Sequence, residues 1–380
     1  MAKTKKVKTA VVGCGVISEI YLTNMTSKFE ILDVVGCCDV IPEKMEKRAR
    51  QFNIKQMSLD EILNDKSIEL VLNITNPVSH HEVSTRILNA GKNLYSEKPI
   101  DLSIEGGREL VKLADKQGLL YGNAPDTFLG EAIQTARFYL DAGLIGDVTS
   151  VSATLNRDAG LLAECYPFTA LPGGGIGLDV GVYYVTAILS ILGPVKYVAG
   201  FVQTRNADRV HYFPGKEDFG KKFKLQAENL VVGSFEFSSG VYGSVTFNSC
   251  SIGNEKPQIV MYGTEGILYM PDPNVFGGEV KVIMKGQTEP VTLPPTHAFH
   301  ENSRGIGPAE LAWSLRKGRK PRTSKEMAFH GLELLLGLYK SCETKKFYEM
   351  TSTFQRPNPI PRGYLGEDYG NSPAEAGIAI

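Results

Sequence analysis

Three groups of residues in this 380-residue chain have types and spacings that could do chemistry. Glu97-Lys98-Pro99 follows the short apolar run Asn93-Leu94-Tyr95, which reads as a buried strand. The glycine-rich turn Gly13-Cys14-Gly15-Val16-Ile17-Ser18 directly follows another apolar run, Thr9-Ala10-Val11-Val12. Further on, Asp179 and Tyr183 come after the cluster Gly173-Gly174-Gly175. They stand at a spacing that shares one helical face. A glycine turn behind a strand lets the backbone approach a pyrophosphate, whose charge the next helix holds at its amino end. A lysine at the carboxyl end of a later parallel strand puts an ammonium beside the nicotinamide half of the same dinucleotide. That pairing implies hydride transfer.

These residues need a scaffold, and the first third of the chain supplies its pattern. Short apolar runs alternate with amphipathic stretches, as in a parallel sheet covered by helices. The expected strands are Lys8–Val12, Ile31–Cys38, Leu70–Thr75, Asn93–Ser96 and Leu119–Gly122. Between them helices are expected at Ser18–Ser27, Pro42–Phe52, His80–Ala90 and Ser103–Gln117. Pro42 suits a first helical turn, and Gly91 and Gly118 suit helix ends. The fold expected is α/β: an amino-terminal doubly wound Rossmann domain, whose ligands gather at the carboxyl ends of the strands.

Beyond Asn123 the texture changes. Helices are expected at Gly130–Ala142 and Asp179–Leu192, with an alternating strand at Val148–Leu155. Then come Lys196–Gln203, Leu230–Phe237, Val241–Asn248, Gln258–Tyr262 and Glu279–Met284, separated by turn residues as in an antiparallel meander. Helices near Gly307–Lys317 and over Lys325–Thr344 complete the unit. The expected organisation is a dinucleotide domain over 1–123 and a substrate-binding α/β domain over 124–355. From Arg356 a Pro- and Gly-rich stretch, 356–380, reads as an extended arm or loose tail.

In the turn, Gly13 permits the tight bend, Gly15 the close approach, and Ser18 stands where a small residue is needed. Val16 and Ile17 complete that loop. Asp39 ends the second expected strand, placed to accept from ribose hydroxyls and to repel a 2′-phosphate. No Arg or Lys follows it immediately, which favours NAD over NADP. Thr75-Asn76-Pro77 and His80 read as a loop beside the phosphates and ribose, or as a helix start capped by Asn76 or Ser79. Glu97 and Asn123 are further cofactor-side candidates. Asp126, Arg157 and Tyr166 are candidates for the substrate side. His297 and His300 read as a loop pair rather than metal ligands, His330 as a packed core residue, and Arg304 as a substrate contact or a tie to Glu301.

The order of these motifs, Gly13-x-Gly15, Glu97-Lys98-Pro99 and then Gly173-Gly174-Gly175-x-x-x-Asp179-x-Gly181-x-Tyr183, resembles the Gfo/Idh/MocA oxidoreductases over about residues 5 to 345. The resemblance implies a second domain with a large open, mainly antiparallel sheet that often forms the subunit interface, and so a homodimer or homotetramer. It implies NAD(P)-dependent chemistry on a sugar, cyclitol or related polyol. Lys98 matches the family's catalytic lysine and Asp179 the acid of the third motif. Tyr183 falls where many members carry histidine, a departure shared with the glucose–fructose and dihydrodiol enzymes of the family.

Oxidising a secondary alcohol requires a group that removes the hydroxyl proton. Tyrosine, with a pKa of about 10, is a poor base at neutral pH, and a nearby ammonium favours its ionised form. The roles expected are therefore Tyr183 as general acid/base, Lys98 as its electrostatic partner and substrate orienter, and Asp179 as acceptor of a substrate hydroxyl. Two rival readings are an NAD-dependent glycosidase working through transient sugar oxidation and a cofactor-sensing regulator without catalysis. A regulator is expected to have lost Lys98 or its proton-transfer partner.

Bulk properties add mainly exclusions. A net charge of −1 with 22% charged residues gives no reason to expect nucleic acid or an anionic membrane as partner. The basic start Lys3, Lys5, Lys6, Lys8 runs straight into the first strand, unlike a signal peptide. No apolar run is long enough for a membrane span. The six cysteines lack metal-ligand spacing, which favours free thiols in a reducing cytoplasm.

Overall fold

The computed structural model describes residues 4–253 and 258–364. The first part of the chain alternates strands and helices in the order β1 (Val7–Val12), α1 (Ser18–Ser27), β2 (Leu32–Cys38), α2 (Pro42–Phe52), β3 (Lys55–Gln56), α3 (Leu59–Asn64), β4 (Leu70–Asn73), α4 (Pro77–Asn89), β5 (Asn93–Ser96), α5 (Ile104–Gln117) and β6 (Tyr121–Asn123). The six strands form one parallel sheet ordered β3-β2-β1-β4-β5-β6. Strand order reverses between β1 and β4, which opens a crevice at their carboxyl ends.

Local chemistry explains most boundaries. Pro42 opens α2 behind an extended Ile41, Ser103 Oγ accepts from the Gly106 N–H to cap α5, and Gly118 closes α5 at φ 64°. Helix α4 starts at Pro77, before the expected His80, because Asn76 is extended and proline's fixed φ suits a first turn. Short β3 and α3 were not expected; Ser58 and Glu61 form a capping box at α3.

The second part contains α6 (Glu131–Asp141), β7 (Val148–Asn156), α7 (Ala159–Cys165), α8 (Val182–Leu192), β8 (Val195–Gln203), β9 (Asp208–Val210), β10 (Lys222–Lys224), β11 (Leu230–Phe237), β12 (Tyr242–Asn248), β13 (Ile259–Gly263), β14 (Gly266–Met270), β15 (Lys281–Met284), β16 (Val291–Thr292), α9 (Ile306–Lys317), α10 (Lys325–Thr344) and β17 (Tyr348–Glu349). Nine strands form a sheet ordered β16-β15-β14-β13-β7-β12-β11-β8-β17. It is not a plain meander. Strand β7 comes early in the chain yet lies between β13 and β12 and runs parallel to β12. Its alternating buried side chains Val151, Ala153 and Leu155 join the face packed beneath α8 and α10. On the opposite face Ser150, Ser152, Ser234, Tyr242 and Tyr262, with Phe347, border a shallow hollow of about 790 Å³.

Helix α9 returns to the first sheet and packs on β5, β6 and α1. Of the expected extended arm or loose tail, the described part, as far as Tyr364, is a docked arm. Ile360 and Tyr364 are buried, Ile360 N–H donates to Gln134, and Arg322 Nε donates to Asn358 O. Residues 365–380 lie outside the described residues.

His330 is fully buried: Nε2 accepts from the Val195 N–H at 2.9 Å and Nδ1 faces Ser352. Burial pushes its pKa down from 6.5 to about 4. Protonation thus favours the unfolded chain, and stability is lost as pH falls from 6.5 toward 4. Thermal melts across that window should show His330→Gln flattening the fall. Asp126, whose carboxyl burial lifts to about 6, works in the opposite direction, so wild type and variant must be compared at each pH. An unchanged slope in the variant contradicts the assignment.

Candidate active site

The crevice is built first by the glycine turn. Gly13 sits at φ +107°, and a Cβ there would come within 2.6 Å of the Ile74 carbonyl oxygen on β4's exit. Only glycine fits this bend. A Cβ on Gly15 would meet nothing within 4 Å, so the backbone presents an open face toward the crevice. Ser18 Oγ donates to Gly15 O at 2.6 Å, which fixes the loop onto the amino end of α1. Asp39 Oδ2 accepts the Cys14 N–H at 2.6 Å and Oδ1 accepts the Ile41 N–H at 2.8 Å. Val16, Val40 and Val78 are 82%, 95% and 76% exposed where β1, β2 and β4 end. Apolar side chains flanking an open amide turn fit the adenine and pyrophosphate of a dinucleotide.

Across the crevice, Lys98 leaves the end of β5 and its Nζ donates to Asp179 Oδ1 at 2.7 Å and to Asp179 O at 2.5 Å. The same Nζ lies 5.5 Å from the Tyr183 ring centroid. Asp179 was expected on a regular helix. It sits instead in a single wide turn, Gly177–Gly181, with π-type bonding ahead of α8. Such turns occur frequently at functional sites. Arg304, from the loop before α9, donates to the Tyr183 hydroxyl at 3.4 Å and to Asn274 Oδ1 at 3.0 Å.

Burial pushes the Tyr183 phenol up, and the opposing charges of Lys98 and Arg304 offset this only in part. The Lys98 ammonium thus favours the ionised phenol, as expected, while burial outweighs it and leaves the phenol above its usual range. Burial works against the Lys98 ammonium too, but Asp179, Tyr183 and Glu97 outweigh it and hold the group charged.

Several expected contacts are structural supports. His80 is buried, with Nδ1 on Pro99 O and Nε2 on Thr75 O, so it joins two crevice loops from behind instead of facing a cofactor. Thr75 Oγ1 donates to Asn73, and Asn76 makes no side-chain cap. Glu97 accepts from Tyr21 OH and from the Lys98 N–H. Asn123 donates to Ser96 O and Glu97 O, holding the strand end that carries Lys98. Asp126 is turned away from substrate, because its Oδ2 accepts the Gly305 and Gly307 N–H groups at the start of α9. Arg157 pairs with Asp272 at 3.3 Å. Tyr166 is half exposed on the loop after α7. Arg304 joins Tyr183, whereas Lys28 takes Glu301. His297 bonds Ile360 O and Thr296.

Glu228 and Asn274 carried no sequence signal. The Glu228 carboxylate is bonded to Tyr339 and lies under the glycine cluster, where a Cβ on Gly175 would overlap it. Gly175 is thus glycine to make room for a carboxylate that supports the turn bearing Asp179.

Comparison with known proteins decides the family. The model described as "Oxidoreductase family, NAD-binding Rossmann fold" matches residues 7–124, and "GFO/IDH/MocA C-terminal domain" matches 133–269. The chain belongs to the GFO/IDH/MocA oxidoreductase family. A GFO/IDH/MocA assignment agrees with the two sheets. "Uncharacterized oxidoreductase C115.03" of Schizosaccharomyces pombe is 28% identical over 192 residues, 49% of this chain and 52% of that protein. The match thus spans about half that relative's length. Trans-1,2-dihydrobenzene-1,2-diol dehydrogenase of Bos taurus is 26% identical over 68% of this chain and 71% of its own. The fold is also that of aldose-aldose oxidoreductase from Caulobacter crescentus, crystallised with glycerol. That structure has a TM-score of 0.77 at 18% identity and covers 91% of this chain and 100% of its own.

Proposed function

We propose that the protein is an NAD-dependent oxidoreductase acting on a secondary hydroxyl of a sugar, sugar glycoside or polyol. The observation that carries this reading is the convergence of Lys98, Asp179 and Tyr183 beside the glycine-turn crevice. Bound NAD supplies the hydride acceptor. Tyr183 exchanges the hydroxyl proton, Lys98 and Arg304 stabilise negative charge on the phenolic and substrate oxygens, and Asp179 orients the ammonium and accepts from a neighbouring hydroxyl. Vicinal hydroxyls, as in the diol named for the bovine relative, suit that carboxylate. A sensor without catalysis has no need of a lysine held charged against a buried tyrosine. Incubation with NAD and a panel of sugars, glycosides and polyols should give a keto product lacking two hydrogens; NAD binding with no such product from any of them contradicts the proposal.

Because burial holds the phenol neutral, the oxidation rate should keep climbing with pH through the neutral and alkaline range, while reduction stays nearly flat. An oxidation plateau at neutral pH overturns Tyr183 as the titrating group.

Asp39 favours NAD, since its carboxylate stands at the end of β2 with Val40 and Ile41 following. Asp39→Asn keeps an oxygen for the Cys14 N–H but removes the charge. It should shift relative kcat/KM toward NADP by about tenfold, roughly 1.4 kcal/mol; no shift in steady-state kinetics means another residue sets the preference.

The reading extends to assembly and place. The chain forms a homodimer or homotetramer through the open sheet face, where Phe201, Tyr242 and Phe347 are exposed. Residues 1–123 act as cofactor domain and 124–355 as substrate domain. All six cysteines are unpaired, which suits the cytoplasm.

A further inference from the structure

Among the described residues, the Arg304 guanidinium bonds neutral oxygens. It donates to Asn302 Oδ1 and Asn274 Oδ1 at 3.0 Å, to Asn274 O at 3.4 Å and to the Tyr183 hydroxyl at 3.4 Å. A contact of that length is easily lost, so it depends on where the backbone of residues 302–307 is held. That backbone is fastened at two buried points. Asp126, 1% exposed after the end of β6, accepts the Gly305 and Gly307 N–H groups on one oxygen, each at 3.0 Å. Asn24, equally buried on α1, donates through Nδ2 to Asn302 O at 2.9 Å and to Arg304 O at 2.8 Å. Gly305 lies between them at φ +110°, where a side chain would be strained and a Cβ would stand 3.2 Å from Met25 Cγ.

We infer that Asp126, assisted by Asn24, is the positioning residue that holds Arg304 against the Tyr183 hydroxyl. A buried carboxylate that takes two N–H groups fixes their direction more firmly than a neutral acceptor does, because charge-assisted bonds are the stronger ones. Arg304 in turn favours the ionised phenol, as Lys98 does, while burial and Glu97 oppose it. Removing the Asp126 charge therefore acts on Tyr183 in two opposite ways. Loss of a nearby negative charge by itself makes the phenol easier to ionise; displacement of Arg304 makes it harder. The role rests on the reading of Tyr183 as the proton-exchanging group, yet it is measured without turnover.

The test is a fluorine NMR titration of protein made with 3-fluorotyrosine, whose phenol ionises more readily than that of tyrosine. The Tyr183 signal is the one missing from Tyr183→Phe. At the alkaline pH of the titration Asp126, which burial lifts only to about 6, is ionised in the wild type. Asp126→Asn keeps an oxygen for the N–H groups but not the charge. It should raise the Tyr183 midpoint by about half a pH unit or more, and so should Arg304→Gln. Combining the two should add nothing further. A midpoint that falls or stays put in Asp126→Asn overturns the assignment, as does an equal rise in the Arg304→Gln background. Asn24→Ala loosens the same loop with no change of charge and carries the same expectation, which keeps the test decisive if Asp126→Asn folds poorly. An absent keto product counts against the oxidoreductase reading alone, since the titration needs no substrate. Where product forms, kcat for oxidation should fall about tenfold or more in Asp126→Asn with NADH affinity unchanged; an unchanged kcat overturns the role.

Discussion

Tyr183→Phe should lower turnover by more than about a hundredfold while leaving NADH binding nearly unchanged, the lower scale of a lost acid/base group. The phenyl ring keeps the packing of a side chain that is 7% exposed. What disappears is the hydroxyl that meets Arg304 at 3.4 Å and to which the proposal gives the proton exchange. Lys98→Met should have an effect of the same order for a different reason. It removes the charge that offsets burial of the phenol and leaves the Asp179 carboxylate, 14% exposed, without its 2.7 Å partner. An unpaired buried charge costs about 3–5 kcal/mol, so its thermal midpoint should fall, whereas Tyr183→Phe should melt close to wild type. Fluorescence titration with NADH and steady-state kinetics separate the two effects. Normal turnover in both variants removes these residues from the mechanism.

The second large effect is expected at Gly175, whose carbonyl oxygen accepts the Asp179 N–H at 2.8 Å. A methyl group there overlaps the Glu228 carboxylate, which is bonded to Tyr339 in a buried setting. Neither can move cheaply in a close-packed interior. Gly175→Ala should therefore displace the turn Gly177–Gly181, carrying Asp179 away from Lys98, and lower both stability and turnover. The mechanism has a specific signature: adding Glu228→Ala should restore part of the stability lost by Gly175→Ala, because the methyl then has room. Thermal melts of the two single variants and the double variant give the coupling. Strict additivity would mean that Gly175 matters for its backbone rather than for the space it leaves.

Much of this site was legible because its signals are local. The glycine turn, the strand before Lys98 and the boundaries of α1, α2 and α10 follow from periodicity and terminal residues over a few positions, and the structure places them as expected. What could not be read depends on packing between distant segments. Arg304 was a candidate, but its partners Tyr183 and Asn274 were not legible, because only the packing of separate loops brings them to it. Glu228 stands just before β11, and nothing in its neighbourhood marks it as the support of a turn some fifty residues earlier. Asp126 and His80 had the residue types of ligand contacts, but buried backbone groups claim them first, the Gly305 and Gly307 N–H groups for Asp126 and the Pro99 and Thr75 carbonyls for His80. The net direction of the Tyr183 shift was not legible for a related reason: sequence reveals the neighbouring charge but not the depth of burial opposing it.

The proposed chemistry at this site is hydride transfer between nicotinamide and a secondary alcohol. The most direct measurement is absorbance at about 340 nm, where reduced nicotinamide absorbs, as sugars, glycosides and polyols are added to the protein with and without NAD. Growth is expected for at least one polyhydroxylated substrate, with its near loss in Tyr183→Phe. Growth that needs added NAD marks an exchangeable cofactor; growth from protein alone marks one held through purification. A protein that binds NAD yet stays silent with every substrate would contradict the account and favour a sensing role.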